Sequence, residues 1–187
     1  MIVACASPDP ALAHSLSNRF GDFYGGMLHP VTALEHVLPL LALGLLAGQQ
    51  GERPARWLVL VFPLALLIGA GVAPVVPPLP WMRLLNAISF VVFGLLVATA
   101  WRVPLLVLIA LGALFGISHG YENGRAMAPD TATHLFVLGV ATIGGLITAL
   151  VSAATIDLAT TAAWPRVAIR IAGSWIAAIG ILMIGVA

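Results

Sequence analysis

Apolar positions in this chain do not alternate with polar ones; they run on. Six stretches, 31–48, 57–76, 82–101, 103–120, 131–158 and 166–186, are almost continuously hydrophobic, and short polar or proline-bearing pieces separate them. A helix needs about 20 apolar residues to cross the roughly 30 Å of hydrocarbon in a bilayer, and each stretch approaches or exceeds that length. Strands of a membrane barrel would alternate in character, so the pattern predicts helices. The connections, 49–56, 77–80, 102–104, 123–130 and 160–165, are short enough to join adjacent antiparallel helices. The turn at Arg102 rests on its flanking Trp101 and on Pro104, which suits a reversal between two helices. The expected fold is all-α: a polytopic membrane protein with a compact bundle of six transmembrane helices over residues 28–187, preceded by an extracytoplasmic segment, 1–27.

Composition agrees with that class. Of 187 residues 61% are hydrophobic and 8% charged, with a mean hydropathy of +1.08, whereas soluble domains carry about 25% charged residues. Net charge is +1, from eight arginines and no lysine, which offers no basic surface for nucleic acid. Cys5 is the one cysteine. It allows neither an internal disulfide nor a thiolate cluster, so a metal site would draw on histidine, carboxylate, backbone or water. The arginines also orient the bundle. With the N-terminus outside, the inner loops hold Arg53, Arg56, Arg102, Arg166 and Arg170, and the outer segments hold Arg19, Arg83 and Arg125. Trp57, Trp81, Trp101 and Trp164 fall at span ends, as interfacial tryptophans do. Glycines at 44 and 48, 69 and 71, 112 and 116, and 139, 144 and 145 suit close helix approach. The halves show no repeat that would point to an inverted-repeat architecture. Residues 1–27 lack the apolar core of a signal peptide. Ala11-Leu12-Ala13 nonetheless has the small-residue look of a cleavage site, which would make His14 a new N-terminus.

The polar groups acquire meaning on this topology. His14 and Asp22 belong to the outer segment. His29, Glu35 and His36 lie at the outer end of the first span, His119 and Glu122 at the outer end of the fourth, and Asp130 and His134 at the outer start of the fifth. Asn86 is one turn into the third span from the same side. All five histidines thus share one membrane face. His29 and His36 are too far apart on one straight helix to bind one ion. Pro30 suits the first helical position, so His29 is expected in the connecting loop, its ring folding toward His36. Thr32 and Glu35 read as a capping box. Against that, Pro39 has no N–H for the Glu35 carbonyl, and a kink is expected there. His119 and Glu122 share a helix face, with Gly116 and Gly120 leaving room for a neighbouring helix or an ion.

Bland readings exist for each group: polar residues at a helix end, or in His134 an imidazole bonded to a carbonyl. Ionisable groups below the headgroups are costly and by default functional. The candidate metal ligands are therefore His29, Glu35, His36, His119, Glu122 and His134. Imidazole with carboxylate suits Ni²⁺, Zn²⁺ or Co²⁺, and spacing does not choose among them.

At these residues the chain resembles the HupE/UreJ family, whose members carry a His-Pro-x-x-x-Asp-His type signature in the first helix and a His-Gly-x-x-x-Gly-like stretch later. The matching residues are His29-Pro30 with Glu35-His36, and His119-Gly120-Tyr121-Glu122-Asn123-Gly124. Ala13-His14 looks like the mature N-terminus common in the family. Two departures stand out. Glu35 occupies a position that is more often Asp. Ala141-Thr142 is followed by Ile143-Gly144-Gly145-Leu146, where the family often has a histidine. The resemblance implies a nickel or cobalt permease of the bacterial inner membrane, associated with hydrogenase and urease maturation.

The expected function is divalent metal binding and transport through the outer His/Glu cluster, by a transporter rather than an enzyme, with Ni²⁺ as the first choice of ion. Ser152, Thr155, Asp157 and Thr99 are the few polar groups available for a path onward. One alternative is an intramembrane metal-dependent hydrolase, with Ser118 beside His119 and Glu35 or Glu122 acting on a metal-bound water. It lacks a second helical histidine before Glu35-His36. Another is an accessory membrane subunit that binds a metal without moving it. Haem would need facing histidines deeper in the bundle. The metal ion and the lipid bilayer are the expected partners, a homo-oligomer or a membrane-complex partner further candidates.

Overall fold

The computed structural model describes residues 10–161 and 163–185, with side chains from residue 21 onward. Cys5, the His14 side chain and the cleavage reading attached to them lie outside the described residues. The chain forms helices α1 (Pro10–Thr32), α2 (Leu34–Gln50), α3 (Glu52–Val72), α4 (Trp81–Thr99), α5 (Leu105–Arg125), α6 (Thr133–Thr161) and α7 (Ala163–Ile184). Helices α3 to α7 are each long and apolar enough to cross a bilayer, and the bent pair formed by Gly21–Thr32 and Leu34–Gln50 adds up to one more span. The molecule is thus a polytopic all-α bundle, and α2 to α7 follow the six apolar runs.

From Pro10 onward the N-terminal segment is helical, which its mixed composition does not announce. Helix α1 is interrupted at Gly21, with φ 74° and ψ 164°, a conformation open to glycine because it has no Cβ. The part after Gly21 packs on α6, with Gly26 seated against Phe136 and Gly139 against Phe23. The Asp22 carboxylate accepts the Ala132 N–H at 2.8 Å, tying α1 to the residue just ahead of α6.

Helix α2 touches every other helix and supplies Leu43 and Leu46 to a fully buried core shared with Leu58, Phe62, Phe90 and Phe93. Lipid tails are as apolar as these side chains, so close packing, not water exclusion, holds such helices together. The α3–α5 seam shows how. A Cβ at Gly120 would strike the Leu66 carbonyl, and one at Gly116 would strike Ala65. The room left by these two glycines is therefore taken by α3, which fixes the depth and rotation of His119 between them.

The chain reversals sort the charges. One end of the bundle holds the α1–α2 junction, the α3–α4 loop and the α5–α6 loop. There Tyr121 Oη donates to the Pro77 carbonyl at 2.7 Å. The opposite end holds the α2–α3, α4–α5 and α6–α7 junctions. Gln50 knots it together: its Nε2 donates to the Trp101 carbonyl at 2.7 Å, its Oε1 accepts Val103 N–H at 3.0 Å, and its own carbonyl accepts from Arg102 at 3.0 Å. The break at Arg102 is real, and Ala100 makes it with φ 52° and ψ 34°. This is the sole described non-glycine residue with positive φ. A left-handed residue with a Cβ costs about 1–2 kcal/mol, partly offset by the entropy that glycine loses on folding. Ala100→Gly should therefore raise stability by about 0.5–1 kcal/mol, read as a higher melting temperature in detergent with unchanged helicity.

Candidate metal site

A single residue assembles the first half of the site. Ala33 is extended, with φ −124° and ψ 131°, and the chain turns by 80° between α1 and α2. His29 in the last turn of α1 and His36 in the first turn of α2 thereby face each other, ring centroids 5.0 Å apart and inclined at 41°. His29 thus belongs to a helix end rather than to a loop, and the spacing of a straight helix does not govern the pair. The capping box is not formed. Thr32 Oγ1 donates to the His29 carbonyl at 2.9 Å, and the N-cap of α2 is Ala33, without a side-chain cap. The chain breaks at Ala33 and not at Pro39, which α2 accommodates in its second turn. Glu35 is left half-exposed, its Oε1 3.8 Å from His36 Nε2. Phe136 of α6 covers His29, with centroids 5.7 Å apart.

The second half is built on α4 and α5, and Asn123 joins the two. Its Nδ2 donates to the His119 carbonyl at 2.7 Å and lies 3.4 Å from His36 Nδ1. An amide nitrogen only donates, so His36 Nδ1 is the accepting nitrogen of that ring. At the far side, His119 Nε2 is 2.7 Å from Ser89 Oγ. The Ser89 hydroxyl has one proton and gives it to the Asn86 carbonyl at 2.6 Å. It can then only accept from His119. Nε2 therefore carries the ring proton, and Nδ1 holds the lone pair. That Nδ1 is buried and has no hydrogen-bond partner among the described residues, and neither do His29 Nε2, Asn86 Oδ1 and Asn123 Oδ1. Buried polar atoms are normally satisfied, each orphan costing about 1–3 kcal/mol. Four of them belong to one interlinked set of residues.

The remaining candidates are placed differently. Glu122 is half-buried and lies within electrostatic reach of Arg83, Glu35 and Arg125. His134 is exposed in the first turn of α6; the residue of that turn that reaches the histidines is Phe136. Ser118 donates to the Phe115 carbonyl of its own helix at 3.1 Å. Among the described residues, no group of three or more His, Cys, Asp or Glu side chains is close enough to hold a metal ion. The arrangement is a row of donors, His29, His36, Asn123, His119, Ser89, Asn86, rather than a closed cage. Ser89 and the bridging role of Asn123 escape a reading by residue type, because serine and asparagine are seldom metal ligands. The available signal is Asn86 and Ser89 three apart, hence on one face, in an otherwise apolar helix.

A polar stripe lies further along α6. Thr148, Ser152 and Thr155 are buried on one face of α6, seated against Gly44 and Gly48 of α2. Thr148 Oγ1 and Ser152 Oγ have no hydrogen-bond partner among the described residues, while Thr155 donates to the Val151 carbonyl at 2.7 Å. The stripe ends in a cavity of about 510 Å³ lined by Ser152, Asp157, Thr160, Glu52 and Arg56. Thr99 lies off this stripe, exposed and bonded to its own helix at Leu95.

The profile of a family described as HupE / UreJ protein matches residues 2–183. Protein HupE of Rhizobium leguminosarum bv. viciae is 29% identical over 124 residues, covering 66% of this chain and 64% of the relative. The match thus spans just under two thirds of that relative's own length. No solved structure matches.

Proposed function

The chain belongs to the HupE / UreJ family, and from that membership we propose that it binds a divalent transition-metal ion, Ni²⁺ or Co²⁺, and carries it across the bacterial inner membrane. The observation that carries this reading is the set of buried donor atoms on His29, His119, Asn86 and Asn123 that have no partner among the described residues. Imidazole nitrogens and amide oxygens suit a borderline divalent ion. The half-exposed Glu35 carboxylate beside His36 supplies charge at the mouth of the row. The ion is substrate here, not a resident cofactor. A row of partial donor sets, each needing water or backbone to complete coordination, favours release as much as capture, as conduction requires.

The polar stripe on α6 supports an onward route. An ion leaving His119 would pass Thr148 and Ser152 and emerge in the cavity held by Asp157 and Glu52. The arginine excess at that end supports a cytoplasmic assignment, with the histidines then at the outer face.

The test is flux. Purified protein in liposomes loaded with a Ni²⁺-sensitive fluorophore should give saturable quenching when Ni²⁺ or Co²⁺ is added outside. Saturable metal binding to the same preparation, with no flux above protein-free vesicles, would overturn transport and leave an accessory metal-binding subunit.

A further inference from the structure

The end of the bundle remote from the histidines carries a second cavity, of about 580 Å³, to which the metal route makes no claim. Arg102 from the α4–α5 loop, and Arg166 and Arg170 from the start of α7, line it together with Gln49, and no Asp or Glu is among its described lining residues. Each guanidinium is held by one backbone carbonyl: Arg102 by Gln50 at 3.0 Å, Arg166 by Ala159 at 3.1 Å and Arg170 by Ala98 at 2.7 Å. An arginine has five N–H donors, so most of each fork remains available. The other carboxylates at this end are directed elsewhere. Glu52 pairs with Arg56 at 2.8 Å, and both Glu52 and Asp157 line the neighbouring cavity. Three positive charges therefore line one cavity without a counter-charge among the described residues.

Depth decides what the counter-charge is. Trp101 and Trp164, next to this cavity in sequence, are 69% and 70% exposed. Tryptophans exposed at the ends of apolar spans sit at the headgroup level, and basic pockets between spans at that level take lipid headgroups. Planar guanidinium forks match phosphate oxygens. We propose that this cavity binds the phosphate of an anionic phospholipid. One headgroup would then clamp the end of α2, the α4–α5 loop and the α6–α7 junction.

Native mass spectrometry of the detergent-solubilised full chain tests this, with phosphatidylglycerol, cardiolipin and phosphatidylcholine as probes. Retained adducts should favour the two anionic lipids over phosphatidylcholine by about tenfold or more. Arg166→Gln with Arg170→Gln should bring that preference close to unity, since each arginine near the surface is worth roughly fivefold. Arg53→Gln with Arg56→Gln, an equal charge change at the same end but outside the cavity, should leave it in place. Because the first pair of substitutions also removes two carbonyl contacts, Arg166→Lys with Arg170→Lys serves as a second variant: it keeps the charge and should retain most of the preference. Equal retention of all three lipids, or equal loss in the control pair, would overturn the proposal. Displacement of the anionic lipid by millimolar inorganic phosphate would also overturn it, and would identify a site for soluble phosphate.

Discussion

His36→Ala combined with His119→Ala should abolish metal uptake, reducing Ni²⁺ flux into liposomes to the level of protein-free vesicles. The two imidazoles sit on either side of Asn123, which bonds to the His119 carbonyl at 2.7 Å and reaches His36 at 3.4 Å. Removing both takes away the consecutive nitrogen donors on which a relay depends, while Glu35 remains to attract cations. The fold should survive. The His119 Nδ1 and Asn123 Oδ1 atoms already lack hydrogen-bond partners among the described residues, and deleting an imidazole beside an unfilled acceptor removes desolvated polar surface. The lost packing against Phe90, 6.1 Å from the His119 ring, is the main structural cost. His134→Ala is the matching control. That ring is exposed, so its loss should leave flux within about twofold, since a surface change away from a site perturbs little. Uptake that persists in the double variant, normalised to monodisperse protein, would remove the histidine row from the transport path.

The overall architecture was open to sequence reasoning because hydrocarbon thickness is a blunt and reliable ruler. Six apolar runs became α2 to α7 with ends displaced by a few residues. The reversal at Arg102, argued from one arginine, one tryptophan and one proline, is a true helix break. The N-terminal segment was harder. Helix α1 between Pro10 and Thr32 is interleaved with Asp, Arg and Tyr, and the part after Gly21 finds its place by packing on α6. The break between α1 and α2 was not visible either. Pro39 is the visible helix breaker, where a kink was expected, yet α2 continues through it and the chain turns at Ala33, whose side chain gives no hint of it. Once that turn is in place, His29 and His36 meet. Candidate residues were legible where chemistry is concentrated in a side chain, as in His36 and His119. They were not legible where a residue acts through another. Ser89 has meaning only after α4 and α5 have been docked, because the proton it gives to Asn86 determines which nitrogen of His119 is free.

That proton is the basis of the second large effect. Ser89→Ala should weaken metal binding by about 10–100-fold, the range found when a partner that orients a ligating histidine is lost. The cause is specific. With Ser89 present, the Oγ proton goes to the Asn86 carbonyl at 2.6 Å, and the oxygen accepts from His119 Nε2 at 2.7 Å. The ring is held as the Nε2–H tautomer, its Nδ1 lone pair facing the buried interior. Alanine removes the acceptor, so the Nε2–H tautomer loses its advantage and His119 samples the form whose Nδ1 is protonated and cannot ligate. A purely structural role for Ser89 predicts something else: a lower melting temperature, with the tautomer of the remaining folded protein unchanged. Long-range ¹H–¹⁵N correlation on ¹⁵N-histidine-labelled protein separates the two. The native chain should show His119 protonated at Nε2, and the alanine variant a mixture. Ser89→Thr keeps the oxygen and should recover most of the affinity wherever its extra methyl is tolerated, which the melting temperature reports. Affinity lost with the Nε2–H tautomer fully retained would mean that Ser89 acts through packing alone, and the assignment of His119 Nδ1 as the ligating atom would lose its support.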